Sequence, residues 1–91
     1  MNAVQLDLID LIEAEWPRQV YLRRIDPARN MRRFYALAIE RDLFGKLCLI
    51  TEYGRIGRSG RVISRPCVTE REALVLFDRT RRQKERRGYT H

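Results

Sequence analysis

The stretch "RFYALAIERDLFGKLCLITEYGRIGRSGRV", residues 33–62, decides how this chain folds. Tyr35, Leu37 and Ile39 alternate with Phe34, Ala36 and Ala38, the period of a strand whose two faces are both partly buried. "DLFGK" then turns the chain, with Gly45 as its pivot. Leu47, Leu49, Thr51 and Tyr53 alternate with Cys48 and Ile50 in a second strand. The Gly-rich corner "GRIGRSG" leads into a third strand, "RVISRPCV". Pro66 marks that strand as an edge, or as reaching its end, because proline cannot donate to a central ladder.

Working outward, "VYLRRI" (residues 20–25) reads as another strand with Val20 and Leu22 on one face. "DPARN" joins it to the next strand through Asp26-Pro27 and Asn30, residues with turn chemistry. Beyond the sheet, Thr69 and Glu72 form a capping box that opens a helix. Ala73, Leu74, Phe77 and Thr80 can face the sheet, acids cluster early and bases late, and Gly88 is the natural stop. The reading is an α+β domain over residues 18–91: a twisted antiparallel sheet of about four strands with a C-terminal helix packed across it.

Residues 1–17 read as a separate N-terminal acidic amphipathic helix. Asn2 and Gln5 cap it, Pro17 ends it, and Val4, Leu8, Ile9, Leu11, Ile12 and Trp16 share a broad apolar face. Asp7, Asp10 and Glu13 fall opposite, and Leu6 does not fit the pattern. This helix is expected to pack on the sheet's free face, to pair two copies into a weak homodimer, or to shield the cationic surface with its carboxylates in the absence of nucleic acid.

Net charge is +7 with a pI near 10.2, which favours polyanionic partners. Residues 1–17 carry four acids and no base, so the rest holds 19 basic and 8 acidic residues, a net +11. Between Tyr53 and Val68 stand Arg55, Arg58, Arg61 and Arg65 with no acid. Arg61 and Arg65 share a strand face, and arginines bind phosphate by charge-assisted, often bidentate hydrogen bonds. Tyr53 offers a ring for stacking on a sugar or base, Gly54 offers close backbone approach, and Gly57 and Gly60 keep the corner narrow.

The same residues resemble the WGR domain family. "RFYALAI", "LITEYGRIGRSGRV" and a helix with "EALVLF" and "KERRGY" carry the resemblance over about residues 20–90. Tyr53-Gly54-Arg55 stands where the family has Trp-Gly-Arg, and Lys84 matches its helix-end lysine. The resemblance implies an antiparallel sheet crossed by one helix. In DNA-dependent poly(ADP-ribose) polymerases the module engages DNA near a strand break, with the tryptophan on a terminal sugar and the arginine on phosphate or neighbouring domains. Those roles would fall on Tyr53 and Arg55. The family also includes small stand-alone bacterial proteins, which this chain resembles, and polymerase activity is not implied.

The expected function is non-enzymatic binding of nucleic acid, DNA above all, through phosphate and sugar with little sequence specificity. Tyr53, Gly54, Arg55, Arg58, Arg61, Arg65 and Lys84 are the candidate contacts. The alternative is an adaptor that grips an acidic protein partner through the same basic surface or the N-terminal helix. No catalytic constellation is present, and no cofactor or metal is expected: "GRIGRSGR" lacks the Lys-Ser/Thr ending of a phosphate loop and precedes a strand. Cys48 and Cys67 read as reduced structural thiols, although their spacing also allows a disulfide. The absence of a basic leader and of any long apolar run leads to the expectation of a cytoplasmic protein with no membrane span.

Overall fold

The computed structural model describes residues 18–91, so the expected N-terminal helix lies outside the described residues. Four strands, β1 (Arg18–Asp26), β2 (Met31–Arg41), β3 (Leu47–Arg55) and β4 (Arg61–Cys67), precede one helix, α1 (Glu70–Arg86). The strands form an antiparallel meander in the order β1-β2-β3-β4. Each turn is set by the residues expected to make it. Asn30 adopts the left-handed conformation at φ 52° after a short 3-10 turn, and Gly45 does so at φ 79°.

The alternation in β2 and β3 sorts their side chains onto two faces. Leu37 and Ile39 of β2 stand opposite Thr51 and Leu49 of β3, and with Leu47 they form the floor beneath α1. Ala73, Leu74 and Phe77 of the helix close this core from above. Thr69 Oγ1 accepts the Glu72 amide at 3.1 Å, as a capping box requires. The Glu72 carboxylate reaches back one residue further than the usual box, accepting from Val68 N at 3.1 Å.

The structure extends the sequence reading in three places. First, β3 does not end at Tyr53: Gly54 and Arg55 remain in the ladder opposite Phe34 and Arg33, and the turn itself begins at Ile56. Secondly, the chain returns after α1, and Thr90 pairs with Arg23 on the outer edge of β1 through hydrogen bonds of 2.7 and 2.8 Å. Thirdly, Cys48 and Cys67 are both free thiols. They project to opposite faces of the sheet, because Cys67 lies opposite Leu47, the immediate neighbour of Cys48.

Candidate nucleic-acid interface

Strand register builds the site. On the face that α1 occupies, Arg24 of β1 is opposite Arg33 of β2, which is opposite Arg55 of β3. Three guanidinium side chains thus leave one face in a single cross-strand row, with neighbouring Cβ atoms about 5 Å apart. Like charges placed directly opposite are unfavourable, so the row is held by the rest of the sheet rather than contributing to it. Neither Arg24 nor Arg33 has an acidic partner among the described residues, and the next carboxylate along β1 on this face, Asp26, sits 3.5 Å from Arg29. Among the described residues, other ion pairs lie on α1 and between Arg41 and Glu70.

One row further into the sheet, the sequence changes from arginine to aromatic. Tyr35 stacks on Tyr53 with centroids 5.8 Å apart, and Tyr89 from the returning tail meets Tyr35 edge-on at 6.2 Å. Burial raises the Tyr35 hydroxyl above its ordinary pKa. Arg33, Tyr53, Gly54, Arg55 and Tyr89 line an open cleft of about 290 Å³ with Phe34 at its edge. It therefore offers half-buried rings on one side and exposed guanidiniums on the other.

Arg55 is held in place by the turn below it. Its guanidinium donates to Asn30 O at 3.2 Å and to Asn30 Oδ1 at 3.4 Å, so the left-handed Asn30 anchors the motif arginine. This leaves further N–H donors of the fork for another acceptor. Arg61 joins the cluster directly, since it lies opposite Tyr53 on the same face.

Other candidate residues have different surroundings from those expected. Gly54 contributes backbone to the cleft, but its missing side chain serves the opposite face. A Cβ there would lie 3.1 Å from Gly60 Cα and 3.6 Å from Phe34. Gly60 is tighter still: its Cβ would meet Phe34 at 2.6 Å and Tyr53 O at 2.8 Å. Both glycines therefore let β3, β4 and the Phe34 ring close together, while the Gly54 backbone also lines the cleft. Arg58 is exposed at the tip of the turn that Gly57 shapes at φ 89°.

Arg65 shares its face with Arg61, as read from the sequence, but lies four steps further along the strand, about 13 Å away. It lines a different cleft, beside Thr69, Leu76 and Arg79 near the start of α1. Lys84 does reach the aromatic cluster, with Nζ 4.4 Å from the centre of the Tyr35 ring and 5.8 Å from that of Tyr89. Burial and the nearby Arg87 push its pKa down, while the ring faces favour the charged form. Lys84 thus braces the rings. On α1, Arg81 and Arg82 are tied to Asp78, and Arg81 also to Glu85, which leaves Arg86 and Arg87 as exposed bases at the helix end.

Arg24, Arg33, Tyr35 and Tyr89 also belong to this surface, although the sequence reading did not name them as contacts; Arg33, Tyr35 and Tyr89 stand in the segments that carry the family resemblance. Two arginines on separate strands become neighbours only once register is fixed, and Tyr89 arrives only because the tail returns along β1.

The described residues thus combine a sheet crossed by one helix with a Tyr-Gly-Arg segment beside a cationic and aromatic cleft. The WGR domain family model matches residues 18–91, and the chain belongs to that family. Over 73 residues, 80% of this chain, it is 45% identical to the uncharacterized protein y4dW of Sinorhizobium fredii. The match covers 36% of that protein, so the chain spans about a third of its relative's length. No solved structure matches the chain at a significant level. No helix among the described residues is long and apolar enough to cross a membrane.

Proposed function

We propose that this chain is a non-enzymatic nucleic-acid-binding module that holds DNA by its phosphate and sugar at the Tyr53-Gly54-Arg55 segment. The observation that carries this reading is the row of Arg24, Arg33 and Arg55, without an acidic partner among the described residues, beside the stacked Tyr35 and Tyr53. A row of like charges has a physical rationale if an anion bridges it, and a sugar-phosphate backbone supplies both the anion and a flat partner for a ring. Membership of a family associated with nucleic-acid binding in poly(ADP-ribose) polymerases supports the same reading. Arg61 extends the contact along β4, while Arg65 and the exposed bases at the end of α1 add longer-range attraction. Contacts of this kind position a duplex without reading its bases, so sequence specificity is low.

Fluorescence anisotropy with a 5′-phosphorylated duplex and an end-capped dumbbell of equal length tests the proposal. Tighter binding to the open duplex, lost in correctly folded Tyr53→Ala and Arg55→Ala variants, is the expected outcome. Equal binding to both DNAs would remove end recognition and leave a general cationic binder. A chain that binds neither DNA at low salt would contradict the proposal and favour an acidic protein partner.

A further inference from the structure

The second face of the sheet carries an apolar trough that α1 does not cover. Ala36 and Ala38 of β2 form its floor, Tyr21 and Ile50 flank it, and Gln19, Glu40 and Glu52 make a polar rim around about 460 Å³. Beside it Tyr21 and Val62 remain 49% and 60% exposed, on a face where an antiparallel sheet open to water would ordinarily present polar residues. Two alanines on a central strand leave a depression that larger side chains from another element can fill. β2 is apolar on both faces, as a strand covered from both sides would be, yet one helix covers only one of them.

We propose that residues 1–17 of this chain cover this trough, laying the apolar stripe that ends at Trp16 onto Ala36 and Ala38. The point of attachment favours this occupant. The chain enters β1 at Arg18, opposite Ile39, and the next residue, Gln19, pairs with Ala38 at the end of the trough. A helical stretch over residues 4–16 would be about 20 Å long, enough to run back along the neighbouring strands. Its pattern fits as well: Val4, Leu8, Leu11 and Ile12 share a face with Trp16, and Asp7, Asp10 and Glu13 lie opposite, where they would remain in water. The other face of the sheet is already filled by Ala73, Leu74 and Phe77. In this arrangement the acids of residues 1–17 sit across the sheet from the Arg24-Arg33-Arg55 row and leave that row open.

Trp16 is the sole tryptophan, so its emission reports this contact directly. In the full chain, the proposal expects a blue-shifted emission relative to the urea-unfolded protein. Acrylamide quenching should be severalfold weaker than in the unfolded protein, and neither readout should change on dilution. Ala38→Arg, on the trough floor, should shift the emission to the red and restore quenching while α1 and the sheet remain folded by circular dichroism. If that variant loses its fold, the wild-type readout decides alone. Water-like emission from the folded wild-type chain would overturn the proposal. Protection that disappears on dilution, together with a dimeric mass at high concentration, would also overturn it and assign the trough to a second copy.

Discussion

Replacing Arg24, Arg33 and Arg55 together with Gln is expected to remove most of the salt dependence of DNA binding. On the proposed reading these residues and Arg61 make about four phosphate contacts, for which log K falls against log salt with a slope of about −3.6 on duplex DNA. That slope means roughly a hundredfold weakening between 50 and 200 mM salt. The triple variant keeps about one contact, giving a slope near −0.9 and only about a threefold change over the same range. Its fold should survive, because the substitutions relieve two directly opposed like-charge pairs. Loss of the exposed Arg55–Asn30 hydrogen bonds works against this by about 1 kcal/mol. A melting temperature within several degrees of wild type, with the salt slope collapsed, is the predicted combination. An unchanged slope would mean that the phosphate contacts lie elsewhere.

Phe77→Ala is expected to have the largest effect on stability. Phe77 is 5% exposed, belongs to the cluster joining α1 to β2 and β3, and carries the Arg18 guanidinium 5.8 Å above its ring. Truncating a buried phenylalanine costs about 3–5 kcal/mol, a large fraction of the 5–15 kcal/mol that holds a typical domain together. The domain has one helix over one core, so little is available to collapse into the cavity. A fall in melting temperature of at least about 12 °C should follow. Val68→Ala, at a side chain 90% exposed, should stay within about 0.5 kcal/mol. Urea titration of both variants distinguishes a core held by Phe77 from one in which it is peripheral.

The architecture was legible in the sequence because its signals are local. Alternation placed Leu37, Ile39, Leu47 and Leu49 on one face, Asn30 and Gly45 supplied the left-handed positions of two turns, and Thr69 with Glu72 marked the start of α1. Glycine is a poor strand former, so a sequence reading stops β3 before Gly54, whereas pairing with Phe34 and packing against Gly60 carry the strand through it. The cationic corner was only half visible. Arg55 and Arg61 stand in the motif itself, but Arg24 and Arg33 join it through register alone. Lys84 could be identified as important by resemblance, yet its place over the Tyr35 ring depends on how α1 crosses the sheet. Arg65 showed the limit of face assignment: a shared face does not bring two arginines to one cleft when three residues of strand lie between them.

The most direct test of the central claim is to follow backbone and arginine side-chain NMR signals while adding a short 5′-phosphorylated duplex. The proposed interface predicts that the largest shifts fall on Arg33, Tyr53, Arg55 and Tyr89, with Arg24 and Arg61 following, while Ala38 and Ile50 across the sheet stay still. Shifts centred on the opposite face, or confined to Arg86 and Arg87 at the end of α1, would contradict it.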